Sequence, residues 1–329
     1  MNLLVLGGAG YIGSHFVKEA LKNNHQVIVI DNLSTGHIEA LPKSVKLYQG
    51  DIRDQRFLDE VFSQEQVDAC VHFCAYSLVG ESMKDPLKYF DNNVIGAIRL
   101  VQAMVKHKVK QIVFSSTAAV YGSHEEMPIK EDFQTLPTNP YGESKLFMEK
   151  IFKWSEEAYG IKYVSLRYFN VAGASEEGII GEDHSPETHL IPIILQVPLK
   201  KRNKLTIFGD DYNTFDGTCI RDYIHVLDLA DAHLKALAYL KKENKSDIFN
   251  LGSEAGYSNK QILENARIVT HDSIPSEIGP RRPGDPDKLI ASNQKAKDIL
   301  KWEVKRDITD ILRTAWNFHK NHPNGYKGD

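Results

Sequence analysis

Apolar and polar positions repeat one alternation through the first half of the chain. Short, mostly apolar runs lie at Asn2 to Leu6, Gln26 to Ile30, Val45 to Gly50, Asp68 to Phe73, Gln111 to Ser116 and Lys162 to Tyr168. Each has the length of a buried parallel strand. Between them lie stretches with helical spacing. Ser14 to Asn23 is amphipathic, Asp91 to His107 places Val94, Ile98, Val101 and Val105 on one stripe, and Tyr141 to Tyr159 is a long helix opened by Asn139-Pro140. Strands alternating with helices specify an α/β fold, a doubly wound parallel sheet with helices on both faces. Beyond Gly173 the pattern loosens into a polar loop from Glu176 to Glu187, then short strands and turns, with Thr309 to His322 as a closing amphipathic helix. The expected division is 1–172 for the first domain and 173–329 for a smaller mixed α/β lobe. Within 221–252, Ile248 to Gly252 is expected to return to the first sheet as a further strand.

The turn after the first run carries the first chemistry. In Gly7-Gly8-Ala9-Gly10-Tyr11-Ile12-Gly13, Gly7 permits a tight turn, Gly10 lets the backbone approach a pyrophosphate, and Gly13 lets the helix pack close. Free N–H groups at the helix start then meet phosphate charge. Asp31 closes the second strand, placed to accept from an adenosine ribose diol, and its carboxylate would repel a 2′-phosphate. This strand–turn–helix–strand–acid order predicts a Rossmann-type domain binding NAD rather than NADP. Asp51 is placed to reach the adenine amino group, Asp54 to cap the next helix, and Phe73-Cys74-Ala75 to line the cofactor at a strand's carboxyl end. Asn92 reads equally as a helix-start cap or a cofactor contact.

Composition narrows the classes without redirecting the reading. With 329 residues, 42% hydrophobic and 26% charged, the chain suits one or two soluble domains. Lys and Arg number 40 against 44 Asp and Glu, so no charge bias points to nucleic acid or an anionic membrane. No run approaches the roughly 20 apolar residues of a membrane span, and a strand beginning at Asn2 leaves no room for a signal peptide. Cys70, Cys74 and Cys219 form neither a metal spacing nor a disulfide framework, so no metal is expected and the expected location is a reducing cytoplasm.

Thr117, Tyr141 and Lys145 form a second constellation. Tyr141 and Lys145 stand four apart and share a helix face. A free tyrosine, with a pKa of about 10, is too weakly acidic to serve as a base at neutral pH. A nearby ammonium and a positively charged nicotinamide are expected to lower it. Thr117, at the end of the fifth strand, supplies a hydroxyl to hold a substrate oxygen or relay its proton.

With these residues in place, the chain resembles the extended short-chain dehydrogenase/reductase family nearly throughout. The carriers are Gly7-x-x-Gly10-x-x-Gly13, Asp51-Ile52-Arg53, Asp91-Asn92-Asn93-Val94, Tyr141-Gly142-x-Ser144-Lys145 and Arg167-Tyr168-Phe169-Asn170. Further blocks resemble that family's branch of UDP-galactose (UDP-glucose) 4-epimerases: Val79-Gly80-Glu81-Ser82, Ile207 to Tyr212, Asp216-Gly217-Thr218, Arg221 to Val226 and Arg281-Arg282-x-Gly284-Asp285. The resemblance implies catalysis by Thr117, Tyr141 and Lys145 with retained NAD. It adds Tyr11, Ile12, Asn32, Ile52 and Tyr168 to the cofactor residues and assigns a UDP-hexose to Asn170, Leu190, Phe208, Arg221, Arg282 and Asp285, beside Thr117 and Tyr141. It also implies a homodimer paired through two helices per subunit.

Three positions depart from the branch pattern. Thr117 replaces a common serine but keeps the hydroxyl, and Ser77 stands where one group has a lysine near the diphosphate. Leu289 is intermediate between the tyrosine that excludes N-acetylated sugars and the small residue that admits them, which leaves UDP-N-acetylglucosamine open. Rival readings are a nucleotide-sugar dehydratase or decarboxylase and a non-catalytic NAD sensor. Ala118 and Ala119 cannot transfer the protons a dehydratase needs, and a sensor commonly loses the Tyr or Lys kept here.

Overall fold

Seven parallel strands make the frame of the computed structural model, which describes residues 1–282 and 285–327. They are β1 (Asn2–Leu6), β2 (Gln26–Asp31), β3 (Lys46–Gln49), β4 (Ala69–His72), β5 (Gln111–Thr117), β6 (Lys162–Tyr168) and β7 (Asp247–Leu251), in the spatial order β7-β6-β5-β4-β1-β2-β3. The six runs expected from the sequence are all present. The seventh strand is the returning segment, pairing parallel to β6 with Phe249 opposite Leu166.

Alternation along the strands divides the core in two. On one face Leu3, Val5, Val29, Val71, Val113 and Val164 pack under α1 (Tyr11–Lys22) and α5 (Val226–Glu243). On the other, Leu4, Leu6, Ile30, Cys70, Ile112 and Phe114 pack under α2 (Gln55–Gln64), α3 (Gly96–Lys106) and α4 (Pro140–Tyr159). The period of two along β1 is the physical reason one strand serves both layers. Trp302, fully buried, joins the first face from far down the chain and donates its Nε1 to the Asp228 carbonyl at 2.8 Å.

The first domain is therefore not confined to residues before 173, because α5, β7 and Trp302 also pack into it. A separate core gathers Ile191, Ile194, Leu205, Ile207, Ile262, Leu312 and Ile311, with α6 (Asn259–Thr270) and α7 (Ile308–Asn321) over small sheets. The expected stripe on the helix before β5 needs correction. Ala97, Leu100, Val101 and Met104 are its buried side, whereas Val94, Ile98 and Val105 are only half-buried. Alanine and methionine on the inner face lie under the sheet, which a count of β-branched residues overlooks.

Candidate active site

Parallel strands present their carboxyl ends along one edge, and the crossovers diverge between β1 and β4, where a crevice must open. Gly7 sits there with φ +81°, and a Cβ on it would lie 2.5 Å from the Cys74 amide nitrogen. A Cβ on Gly13 would lie 2.1 Å from the Gly7 carbonyl oxygen, so α1 rests directly on the turn and aims its first N–H groups into the crevice. Gly7, Gly10, Asp31, Asn32, Ile52, Phe73, Cys74, Ala75 and Asn92 line this cleft. Asp31 at its rim accepts from the Ala9 and Leu33 amides at 2.9 Å each. Burial raises its carboxyl while those amides act against the rise. Amide donors at the turn and a carboxylate at the rim fit a dinucleotide's pyrophosphate and ribose.

Other expected cofactor residues have different employment. The Tyr11 hydroxyl donates to the Gly173 carbonyl at 2.6 Å, so its side chain ties α1 to the chain after β6. Asp51 is committed to Arg53, which donates from Nε at 2.9 Å and Nη2 at 2.7 Å. Those bonds hold its carboxyl down at about 2. Asp54 caps α2 as expected, accepting from the Arg56 and Phe57 amides.

The capping alternative for Asn92 is overturned. Helical backbone runs from Pro86 through a wide turn at Phe90–Ile95 into α3, and Asp85 is the residue that caps it. Buried Asn92 instead donates to Asn93 Oδ1 at 2.9 Å. Asn93, which the sequence did not single out, accepts from the Tyr76 amide at 3.0 Å and donates to Ser144 Oγ at 2.9 Å. It fastens the cleft loop to α4.

Helix α4 owes its start to Asn139, whose side chain accepts from the Gly142 amide at 2.9 Å, and to Pro140 in the first turn. Two consecutive residues of β5 then latch it. The Lys145 ammonium donates to the Ser115 carbonyl at 2.8 Å and the Ser116 hydroxyl donates to Glu149 Oε1 at 2.5 Å, while the Thr117 side chain stands near enough to Tyr141 to act on its phenol. The constellation is assembled, but the expected lowering of the tyrosine by the Lys145 ammonium is not present. Burial raises the Tyr141 phenol above its ordinary value, and the Thr117 side chain only works against that. Burial also draws Lys145 down to about 8. The physical reason is that Lys145 points to Ser115 and lies over the Phe114 ring, 4.9 Å from its centroid, rather than toward the phenol. Tyr168, beside Thr117 in register, is likewise raised by burial.

The residues expected to hold a UDP-hexose fall into two pairs and two single positions. Arg221 Nη2 lies 3.5 Å from Asp285 Oδ1, and Arg282 stacks its guanidinium 4.3 Å from the Phe208 ring centroid. Leu289 stands opposite Arg221 in parallel register. Asn170 donates its amide to the Asp222 carbonyl at 3.0 Å, and Leu190 opens the helix Leu190–Leu195. Gly284 of the Arg281–Asp285 block lies outside the described residues.

Two groupings escaped the sequence reading. A buried ion pair joins Glu149 on α4 to Arg167 on β6, with Nη2 donating at 2.6 Å and Nε at 2.9 Å. Glu182, His184, Glu187 and His189 converge in the loop read as merely polar. The alternating Glu/His spacing was the available signal for the second; the first joins residues 18 apart and left none.

Known proteins share this fold over nearly the whole chain. A UDP-glucose 4-epimerase of Lacticaseibacillus casei is 60% identical over 327 residues, covering 99% of both chains. A crystal structure of a UDP-glucose 4-epimerase superposes with a TM-score of 0.97 at 52% identity, covering 99% of each chain. The Bifidobacterium longum UDP-glucose 4-epimerase, solved in complex with NAD+ and UDP, gives 0.94 at 38% identity over 99% of this chain and 100% of that one. The family model for NAD dependent epimerases and dehydratases matches residues 3–252, from the first strand through the returning one. Glycine turn, crevice and latched helix lie within that span, and the chain belongs to the NAD dependent epimerase/dehydratase family.

Proposed function

We propose that the protein is a UDP-glucose 4-epimerase, inverting C4 of UDP-glucose and UDP-galactose reversibly through a 4-keto sugar, with NAD as tightly held cofactor. The observation that carries this is the double latch of Ser115 and Ser116 on α4, which fixes Lys145 at the sheet edge with Tyr141 beside Thr117. The full-length relatives support the substrate.

Bound NAD supplies the hydride acceptor that makes the C4 alcohol oxidisable and returns that hydride to the opposite face. Tyr141 Oη takes the proton from the sugar 4-hydroxyl as the ketone forms and gives it back on reduction, so protons and electrons balance over the cycle. Thr117 orients that oxygen. Lys145 holds its proton at Nζ and would hydrogen-bond the nicotinamide ribose of bound NAD. Because Tyr141 is raised by burial, the base becomes competent only with positive charge brought beside it, which couples proton removal to cofactor occupancy. Arg221 and Arg282 grip the diphosphate, Phe208 flanks the uracil and Asp285 accepts from the uridine ribose, leaving the hexose free to turn. In this reading residues 1–172, with 221–252 packed back on them, hold NAD, and the rest of 173–329 holds the UDP-sugar.

Incubation with UDP-galactose should yield UDP-glucose; a 4-keto-6-deoxy product would overturn the assignment. Tyr141→Phe should keep bound NAD but lose at least about 100-fold in turnover, the scale of one general acid–base group. Full activity in that variant would remove Tyr141 as the base. Leu289, intermediate in size and in register with Arg221, leaves a second activity on N-acetylated UDP-hexoses open, read by assaying UDP-N-acetylgalactosamine alongside. A cytoplasmic homodimer paired through the helical stretch Asp91 to His107 and through α4 completes the proposal. Exposed Ile95, Phe147 and Trp154 support the pairing, and sedimentation of the purified chain tests it.

A further inference from the structure

The loop from Gly181 to His189 gathers four side chains that the proposed reaction does not use as acids or bases. Glu182 and Glu187 are acceptors with side chains only 6% and 8% exposed. Both imidazoles turn Nδ1 toward them. His184 Nδ1 lies 3.3 Å from Glu182 Oε1 and 3.8 Å from Glu187 Oε2. His189 Nδ1 lies 2.8 Å from Glu182 Oε1 and 3.2 Å from Glu187 Oε1. Both Nδ1 atoms are buried, yet neither makes a hydrogen bond of acceptable geometry. Near approach off the hydrogen-bond axis is what ligands around a common centre show. In a tetrahedron with metal–ligand bonds of about 2.0–2.1 Å, neighbouring ligand atoms stand about 3.3–3.4 Å apart. The His–Glu separations, taken to either oxygen of Glu187, run from 2.8 to 3.8 Å around that edge, and one ligand atom from each residue lies within 4.8 Å of the others.

We propose that Glu182, His184, Glu187 and His189 form a closed, structural zinc site. Two imidazoles with two carboxylates suit Zn²⁺; calcium and magnesium prefer six or more oxygens, and thiolate-loving ions find no sulfur here. Four protein ligands leave no open position, so the ion would hold structure rather than activate water. What it would hold is specific. The His184 ring meets Tyr11, at the start of α1, edge-on with centroids 6.4 Å apart, and His189 immediately precedes the helix that begins at Leu190. The loop is already anchored from the far end of the chain, with the Gly181 amide donating to the Tyr326 hydroxyl at 2.9 Å and the Tyr326 amide donating to Asp183 Oδ2 at 2.9 Å. An ion there would join the cofactor-side helix to the second lobe through one short loop.

The test is metal analysis of the untagged protein, followed by chelation and cobalt exchange. About one zinc per chain is expected. Its removal by a chelator should lower the melting temperature, and equimolar zinc should restore it. The Co²⁺-exchanged protein should show the intense visible absorption of a tetrahedral ion. His184→Gln and Glu182→Gln should each weaken zinc binding by at least about 100-fold, the upper range for losing even an outer-sphere partner. Protein that takes up no zinc from an equimolar supply overturns the site, as does a Co²⁺ spectrum of octahedral weakness. Unchanged stoichiometry in both variants means an adventitious ion only and overturns it equally. If a variant fails to fold, the wild-type metal content and cobalt spectrum decide alone.

Discussion

Replacing Glu149 by alanine should unfold the protein several degrees early without touching any residue assigned to substrate. Glu149 and Arg167 are 5% and 4% exposed, so solvent screens their interaction little. The carboxylate accepts two guanidinium hydrogen bonds and one from Ser116. Its loss leaves Arg167 buried with only the Tyr121 hydroxyl, 2.9 Å from Nη1, to receive a proton. Removing one partner of such a pair costs about 3–5 kcal/mol, mostly the price of an uncompensated buried charge. At about 2.1 cal/mol/K per residue, 329 residues have an unfolding entropy of about 0.7 kcal/mol/K. The expected drop in melting temperature is therefore about 4–7 °C, read by calorimetry on NAD-saturated protein. A Glu149→Leu/Arg167→Met double variant should recover most of it, because a well-packed apolar pair avoids desolvating either ion. The remaining deficit should be about 1 kcal/mol from the Ser116 hydroxyl left without its acceptor. If Glu149→Ala melts within a degree of the parent, or the double variant is worse than either single one, the latch between β5, α4 and β6 does not work as described.

Two further outcomes follow from the geometry. Gly13→Ala places a methyl 2.1 Å from the Gly7 carbonyl, so α1 must lift off the turn; purified variant should carry far less NAD, by its absorbance ratio, and retention equal to the parent would refute the close-packing argument. Acid should destabilise the fold well above the carboxylate range, because burial pulls His15 and His233 down to about 4, His72 to about 3 and His225 to about 2. A group depressed in the folded state takes up protons mainly in the unfolded one, so stability is full above the unfolded value of 6.5 and falls as pH drops toward the folded values. Each histidine adds up to about 1.4 kcal/mol per pH unit in that window. A melting temperature flat between pH 7 and 5 would contradict this.

Most of the frame was legible because burial on both faces makes parallel strands read as continuous apolar runs, as Asn2–Leu6 and Gln111–Thr117 do. Even the return of Asp247–Leu251 left such a run. The glycine turn was legible because Gly7 and Gly13 answer steric demands that show as collisions in the structure, whereas a Cβ on Gly10 would stand 3.4 Å from the Gly7 carbonyl oxygen. Harder were features created by distance along the chain. Nothing near Glu149 announces Arg167, whereas the helix start before Asn92 did leave a signal, the Asp85 cap followed by Pro86, that went unread. The Tyr141 environment was misjudged for a related reason. Spacing of four put Lys145 on the right face, but its direction was set by the Ser115 carbonyl on another strand.

The returning strand has a consequence during synthesis. β6 is complete at Tyr168, but its outer edge is covered only when Asp247–Leu251 leaves the ribosome, 79 residues after position 168 by the numbering of the two strands. At roughly 5–20 residues per second the nascent chain carries a bare apolar edge for about 4–16 s. During that interval it is open to pairing with neighbouring chains. Slowing translation between these two strands should lower soluble yield more than slowing it after residue 251, so the order of the strands dictates when the emerging polypeptide most needs a chaperone.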